Sequence, residues 1–273
     1  MKNQLIKSLS FAEYQAIEAV NFSSLKNIAR SPAYYKWALN SDKSTSAMDI
    51  GRTAHVKILE PDTFYDRVVF FKGDKRKKEW KDFQYIHAGK DILTVAEMAA
   101  VNGIAEAVKT HPMTCNEFKT GEAELTVIWT DPNTGILCKA RLDWVAADFI
   151  TDLKTSADPS KYAFCRSAAK YRYFTQFSWY QYGYYCVTGD RIPVQCVAVG
   201  NRAPHELVVY EVTGDVLNHG SKEFTAMLER LKECMESNDY PPVNYNEKVA
   251  LEVPQWCLPY GTEYDDSDPF AGM

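Results

Sequence analysis

The sequence lacks the features that mark secreted, membrane-spanning and zinc-binding proteins. Its seven cysteines include no CxxC pair, and their odd number argues against a disulfide framework. It contains no apolar run of about 18 residues, and its opening MKNQLIKSLS has no apolar signal-peptide core. We therefore expect reduced thiols and a soluble cytoplasmic protein that does not associate with a membrane.

A strong overall charge is also missing. The formal net charge is -5 over 273 residues, so the total gives no signal for nucleic acid, although a local basic patch is compatible with it. Hydrophobic residues make up 46% of the chain and charged residues 25%. This composition can form one large domain with a substantial core.

Apolar residues recur with the period of a helix before residue 115 and alternate as in strands after it. The segment around His55 predicts a helix that stops at Pro61, and Ile92 to Thr110 predicts a second, amphipathic helix. The later part predicts three strands, an aromatic helix, two further strands and a long helix. These segments are Ala123–Trp129, Ile136–Ala146, Phe149–Thr155, Arg172–Gly189, Val194–Gly200, Glu206–Val212 and Gly214–Ser237.

This order predicts an α/β fold with a central mixed β-sheet flanked by helices and a helical N-terminal region. We assign residues 1–257 to a single domain, with a mainly helical part at 1–115 and a core at 116–257. Residues 258–273 have the composition of an acidic, flexible tail.

Two aspartates and a lysine lie in segments that otherwise resemble buried strands. Asp143 lies in the second predicted strand, while Asp152 and Lys154 share one face of the third because side chains alternate along a strand. A tight turn would bring the two carboxylates together, where they repel each other unless a divalent cation lies between them. Oxygen ligands suit Mg²⁺ or Mn²⁺. A lysine beside such an ion can orient or deprotonate water and stabilise a phosphoryl transition state.

A short DxK pattern is more often an ion pair at a sheet end, so its neighbours decide its meaning. Gln176 and Tyr180 form QxxxY, one helical turn apart, in the aromatic helix. His55 lies in GRTAHVKILEP, and Glu124 lies one strand before Asp143. A helical histidine is usually structural and a strand glutamate is usually exposed, so the signal is the ordered combination.

These pieces resemble the PD-(D/E)XK nuclease superfamily, and within it the RecE-type exonuclease (exonuclease VIII) family. The matching segments are SSLKNIARSPAYYKW, GRTAHVKILEP, KRKKEWKDF, GEAELTVIWTDPNTGILCKARLDW, TDLKT and YRYFTQFSWYQYGYY. The resemblance implies a restriction-endonuclease-like core.

The resemblance also implies residue roles. Asp143, Asp152, His55 and the backbone carbonyl of Leu153 would be metal ligands, and Lys154 would be the catalytic lysine. Glu124 would be an additional acidic residue of the site, and Gln176 and Tyr180 would steady it. Two ions, Mg²⁺ or Mn²⁺, could flank the scissile phosphate.

The implied activity is 5′→3′ digestion of one strand from double-stranded DNA ends, which leaves 3′ single-stranded overhangs. The implied setting is phage or prophage recombination in a bacterial host cell. The implied partners are identical subunits in a closed ring, trimeric or tetrameric, and a RecT-like single-strand annealing protein.

The sequence also offers candidates for DNA contacts. A basic segment places six cationic residues within ten positions: Lys72, Lys75, Arg76, Lys77, Lys78 and Lys81. A solvated surface loop is an equal alternative. Ser24 at an expected helix start could bind a terminal 5′-phosphate, or could simply cap the helix. Arg52 and Arg141 flank the expected site.

Two other functions remain open. Iron–sulfur nucleases share QxxxY, but they need a late cysteine cluster, and Cys234 and Cys257 are isolated, so we expect no iron–sulfur cluster. A catalytically silent DNA-binding or anti-host protein on a nuclease scaffold is the second alternative. The intact D…DxK pattern argues against it.

Overall fold

The first half of the chain is mainly helical, as the periodicity predicts. A computed structural model describes residues 3–41, 46–243 and 248–253. The elements up to residue 110 are β1 (Gln4–Ile6), α1 (Phe11–Ala16), α2 (Phe22–Leu25), α3 (Pro32–Ala38), α4 (Ser46–Leu59), α5 (Phe64–Arg67), β2 (Val68–Phe71), α6 (Lys78–Ile86), β3 (Asp91–Thr94) and α7 (Val95–Thr110).

The second half alternates between strands and helices. Its elements are β4 (Glu122–Thr130), β5 (Leu137–Val145), β6 (Ile150–Ser156), α8 (Lys161–Tyr171), α9 (Tyr173–Thr188), β7 (Val194–Gly200), β8 (Leu207–Glu211) and α10 (Gly214–Ser237). Each predicted strand and helix of this half is confirmed within one or two residues.

Six strands form the central sheet in the order β1-β4-β5-β6-β7-β8. All neighbours are antiparallel except β6 and β7, which run parallel and are joined through α8 and α9. The sheet is therefore mixed, and the predicted fold class is confirmed. Strands β2 and β3 pair separately in a small parallel sheet.

Two helical layers cover the central sheet. On one face, α9 and α10 bury an aromatic core in which Trp129 of β4 packs against Trp179 of α9, with ring centroids 4.8 Å apart. On the other face, Ala54 of α4 and Ile104 of α7 pack against Leu153 of β6. The site residues of β5 and β6 lie between these layers.

One predicted helix start is wrong. We expected a helix from Ile92, but Asp91–Thr94 forms β3, and α7 begins at Val95. The Thr94 side chain accepts a hydrogen bond from the Glu97 amide, and the Thr94 amide donates one to the Glu97 carboxylate, so this capping box fixes the helix start.

The contacts divide the chain into two units, Met1–Pro242 and Val243–Met273. All elements named above belong to the first unit. The predicted tail at 258–273 lies outside the described residues. Within the described ranges, no helix is both long and apolar enough to cross a bilayer.

Candidate active site

Strands β5 and β6 separate where the predicted site begins. They pair only at Trp144–Thr151 and Val145–Ile150, next to the tight turn. One residue further, the side chain of Asp143 enters the gap, and its Oδ2 accepts a hydrogen bond from the amide of Leu153 at 2.8 Å. The carboxylate takes the place of the backbone acceptor that the Leu153 amide would have in a regular sheet. This hydrogen bond holds Asp143 against the backbone between Asp152 and Lys154.

Asp152 and Lys154 point to the same face of β6 and form a buried ion pair. The Lys154 Nζ donates to Asp152 Oδ1 at 2.8 Å and lies 2.6 Å from Oδ2. Burial disfavours the charged form of Lys154, but Asp152 and then Asp143 outweigh it and raise the pKa of the lysine. Lys154 is therefore an ammonium at neutral pH, a donor and not a base.

Burial dominates the titration of the two aspartates. It raises the pKa of Asp152 to about 6, against the opposing charge of Lys154, and Asp143 adds to the rise. Burial likewise raises the pKa of Asp143. Two buried carboxylates beside one ammonium leave the cluster with an excess of negative charge when both are ionised.

His55 reaches the same cluster from α4. Its Nδ1 lies 3.6 Å from Asp143 Oδ2, and its ring makes a hydrogen bond to the backbone of Leu153. Burial, with Lys154 nearby, lowers the pKa of His55 to about 4, so the imidazole is neutral at pH 7. The structure thus brings together all the predicted metal ligands.

The chemistry of this donor set fits a divalent cation. It offers two carboxylates, a neutral imidazole and a backbone carbonyl, and the buried Oδ2 of Asp152 accepts no hydrogen bond of normal geometry. In the structure these groups contact hydrogen-bond donors of the protein itself. In the part of the chain that the structure describes, no three His, Cys, Asp or Glu side chains are already arranged as a metal-binding group.

Gln176 and Tyr180 face the aspartates from α9. The Gln176 Nε2 donates to the Tyr180 hydroxyl at 2.7 Å, one helical turn away. Burial and the charges of Asp143 and Asp152 raise the pKa of Tyr180 well above its ordinary value, so its hydroxyl stays protonated. The QxxxY pair therefore presents neutral hydrogen-bonding groups to the acidic cluster.

A cavity of about 570 Å³ opens above this cluster. Helix α1 and the start of α2 form one wall, and α4, β4, β5 and α9 form the others. Seven of the predicted site residues line it, which are Arg52, His55, Glu124, Arg141, Asp143, Gln176 and Tyr180. The other lining residues are Phe11, Tyr14, Gln15, Asn21, Phe22, Ser23, Val56, Arg67, Ala140 and Trp179.

Glu124 enters the cavity through an irregular strand. Its φ of 51° lies in the left-handed region, and no ladder pair joins it to Asp143, although its neighbours pair with Trp144 and Leu142. Burial and the charge of Asp143 raise the pKa of Glu124 to about 7, while Arg141 opposes the rise.

The predicted DNA-binding residues are dispersed. The basic segment runs from the loop after β2 into α6, and its six cations are not among the cavity-lining residues. Two of them have acidic partners: Lys75 lies 3.6 Å from Glu97, and Arg76 lies 2.9 Å from Asp74. Arg52 lines the cavity but pairs with Asp91 at 2.7 Å.

Ser24 lies in the first turn of α2, but the interpretation of Ser24 as its cap is wrong. Asn21 caps α2, and its side chain accepts the Ser24 amide at 2.8 Å. The Ser24 hydroxyl donates to the Asn21 carbonyl at 2.9 Å. Both groups that were expected to bind an anion are therefore engaged within the helix.

Several site residues were missed. The Lys154 Nζ lies 4.9 Å from the ring centroid of Tyr173, and Lys154 also lowers the pKa of Lys26, after the larger effect of burial. The buried Lys139 donates to the carbonyls of Tyr14 and Ile17 and so holds α1 at the cavity wall. Of these residues, only Tyr173 could have been found from the sequence, because it lies about one helical turn before Gln176 of the QxxxY pair.

Solved structures share this fold. A crystal structure of a protein from Eubacterium rectale described as "Putative exonuclease" covers 93% of this chain and 99% of its own, with a TM-score of 0.63 and 17% identity. The structure of SSO0001 covers 81% of this chain and 88% of its own, but its TM-score of 0.30 and identity of 12% carry no argument. No curated protein matches the chain.

A family profile covers residues 21–250. Its description is a PDDEXK-like domain of unknown function (DUF3799). The matched region contains the whole cluster from His55 to Tyr180, and the sheet with its splayed strands agrees with the PD-(D/E)XK nuclease fold. The chain therefore belongs to this PDDEXK-like family.

Proposed function

We propose that the protein is a Mg²⁺-dependent (or Mn²⁺-dependent) 5′→3′ exonuclease of double-stranded DNA, of the RecE type. The observation that carries the proposal is the convergence of Asp143, Asp152 and Lys154 at the separation of β5 and β6. Membership of the PDDEXK-like family and the fold shared with the Eubacterium rectale protein support a nuclease in general.

The protonation states assign roles to the side chains. Lys154, an ammonium at neutral pH, donates hydrogen bonds to the attacking water or to a non-bridging phosphate oxygen. His55 and the carbonyl of Leu153 complete the ligand set of the two aspartates. These groups would hold one or two divalent cations, which would activate a water and neutralise charge on the phosphate.

The cavity wall carries cationic groups beside its carboxylates. Arg52, Arg67 and Arg141 line it, and in the structure each of them is paired with a carboxylate. Phosphates are bound by such guanidinium groups. The acidic overall charge is consistent with this, because the arginines face the cavity.

The biological setting is part of the proposal. The 3′ overhangs would serve recombination by single-strand annealing in a phage or prophage, with a RecT-like protein as recipient. A closed ring of three or four identical subunits around the duplex would keep the enzyme on its substrate.

The test is digestion of linear duplex DNA with Mg²⁺, with the label at the 5′ end or at the 3′ end. Early release of the 5′ label as mononucleotide is expected, together with survival of closed circles. Lys154→Ala should lower the rate by about a hundredfold or more. Lys232→Ala, at a half-buried lysine of α10 outside the cavity, is the matched control and should retain full activity.

Other outcomes separate the alternatives. Release of the 3′ label first would reverse the proposed polarity, and cleavage of circles would indicate an endonuclease. Intact DNA with both proteins, despite Mg²⁺ binding, would favour the silent DNA-binding scaffold.

A further inference from the structure

Helix α8 carries an exposed face of aromatic and cationic residues that the proposed site does not use. Its sequence, KYAFCRSAAKY, contains no aspartate or glutamate. Tyr162, Arg166 and Lys170 follow each other at intervals of four residues, so they lie along one side of the helix. Tyr162 is 75% exposed and Tyr171 is 48% exposed.

The cations of this face lie beside its rings. The Arg166 guanidinium is 5.7 Å from the Tyr162 ring centroid, and the Lys170 Nζ is 5.4 Å from that of Tyr171. Neither cation takes part in an ion pair within the described ranges. A surface groove of about 490 Å³ runs between them, lined by Tyr162, Ala163, Arg166, Ser167 and Lys170.

The C-terminal end of this face connects to the predicted catalytic lysine through two rings. Tyr171 and Tyr173 have centroids 5.7 Å apart and planes inclined by 30°. Tyr173 in turn lies 4.9 Å from the Lys154 Nζ. The left-handed Arg172, with φ of 59°, joins α8 to α9 at this point and places both tyrosines side by side. Outward from the site, the rings of Tyr173 and Tyr171 are followed by two cations and then by Tyr162, so rings lie at both ends of the cationic stripe of α8.

The buried side of helix α8 packs against the rest of the protein and holds this surface in place. Phe164, on its buried side, stacks on Tyr210 of β8 with centroids 4.9 Å apart and planes inclined by 12°. Ala168 is fully buried on the same side. The helix is about 16 Å long, so the exposed face can contact several nucleotides.

We propose that this face of α8 binds single-stranded DNA that leads to or from the active site. The proposal rests on the proposed nuclease function and adds the route of one strand. Exposed rings favour a single strand, because the base faces of a duplex are already stacked on each other. Rings at both ends of the cationic stripe provide stacking for bases, and the cations provide charge for phosphates. A duplex would meet the cations but leave the rings unused.

The experiment measures binding of a fluorescent oligothymidine to the full chain by anisotropy, with EDTA present to prevent cleavage. Tyr162→Ala/Tyr171→Ala should weaken binding roughly tenfold for each ring removed. Tyr162→Phe/Tyr171→Phe keeps the rings and should bind as the unchanged protein does. Arg166→Gln/Lys170→Gln should lower the slope of log K against log salt by about 1.4.

The chain offers a matched control in Tyr185 and Arg191. They form a similar exposed ring–cation pair, at 4.6 Å, but at the far end of α9, about 18 Å from Tyr173 along the helix. Tyr185→Ala/Arg191→Gln should leave oligothymidine binding unchanged. Circular dichroism of each variant checks that the helices are intact.

The outcomes separate this proposal from the nuclease proposal. If the α8 variants bind the oligonucleotide as the unchanged protein does, the α8 proposal is wrong even if duplex DNA is digested. Equal losses for a blunt duplex and for the single strand would also overturn it. If no DNA is cleaved, but oligothymidine binding depends on the rings, the α8 surface stands and the nuclease proposal fails.

Discussion

The Nε of Arg141 lies 2.5 Å from Oε2 of Glu124, and this ion pair joins β5 to β4 beside Asp143. Arg141 has a second, more distant acidic partner, Glu60, at 3.9 Å. Glu124 adopts a left-handed φ in the middle of a strand, a conformation that costs an ordinary residue free energy. Because this conformational cost falls on a residue at the cavity wall, we expect the Glu124 carboxyl group to have a function.

Glu124→Gln should change the pH dependence of cleavage. Burial and the Asp143 charge raise the pKa of Glu124 to about 7, so the carboxylate form grows as pH rises through this value. If the ionised form is needed, the rate at saturating Mg²⁺ rises with pH up to about 7 and then levels off. The glutamine variant should be roughly tenfold slower with a flat profile in this range.

Stability provides an independent check on the same residue. Because the folded carboxyl holds its proton more tightly than the unfolded one, Glu124 makes the metal-free protein less stable as pH rises from 4.5 to about 7. Glu124→Gln should remove this pH-dependent decrease in stability. Glu122→Gln, on the same strand but paired with Lys7 outside the cavity, should change neither profile. Identical profiles for all three proteins would exclude a titrating Glu124.

Metal binding should stabilise the protein more at neutral than at acidic pH. The pKa of Asp152, raised by burial to about 6, makes protons compete with the cation below that pH. In thermal unfolding, Mg²⁺ at a hundredfold excess over Kd should add about 2.7 kcal/mol at neutral pH and much less at about pH 5.

Asp152→Asn should abolish this metal-induced shift in the melting temperature. Asp148→Asn is the matched control, because Asp148 is exposed in the turn between β5 and β6. A shift that persists in Asp152→Asn, or that does not depend on pH, would place the metal elsewhere.

Tyr180→Phe and Tyr182→Phe remove comparable hydroxyl groups from one helix. Tyr180 accepts from Gln176 at 2.7 Å at the site, whereas Tyr182 donates to Asp131 at 3.0 Å away from it. Each variant should lose about 1 kcal/mol of stability in denaturant unfolding. Only Tyr180→Phe should also lower the cleavage rate, by about tenfold or more. Equal rates for the two variants would make the QxxxY pair purely structural.

The sequence predicted five of the six central strands because β4 to β8 are each five residues or longer and rich in apolar side chains. Strands β1 to β3 are three or four residues long, which is too short for a period to be recognised. Their existence depends on pairing with distant segments, such as Leu5 with Val127. Local patterns carry no information on such contacts.

The composition of the site was predictable and its geometry was not. Alternation placed Asp152 and Lys154 on one face, but it implied that β5 and β6 stay paired beside Asp143. The separation of the strands, the left-handed Glu124 and the ring of Tyr173 over Lys154 all arise from tertiary packing. The sequence signal of Ser24 was misread because Asn21, one residue before α2, is the better cap.

Lys139→Met should loosen the wall of the cavity without touching the site directly. The buried Nζ of Lys139 donates to the carbonyls of Tyr14 at 2.8 Å and Ile17 at 2.7 Å, and it lies 4.6 Å from the Tyr14 ring centroid. Methionine keeps the volume but leaves these carbonyls without a donor, which should lower the free energy of unfolding by about 1–3 kcal/mol. Proteolysis within α1 should become faster.

Because Phe11 and Tyr14 of α1 line the cavity, the same variant should bind DNA more weakly while retaining its Mg²⁺-induced stabilisation. Lys36→Met is the control, since Lys36 is exposed and contacts only the face of the Tyr240 ring among the contacts described for it. If Lys139→Met loses stability but binds DNA normally, α1 is a structural brace alone. If it loses the Mg²⁺ response as well, the damage has spread to the metal ligands and α1 supports the whole site.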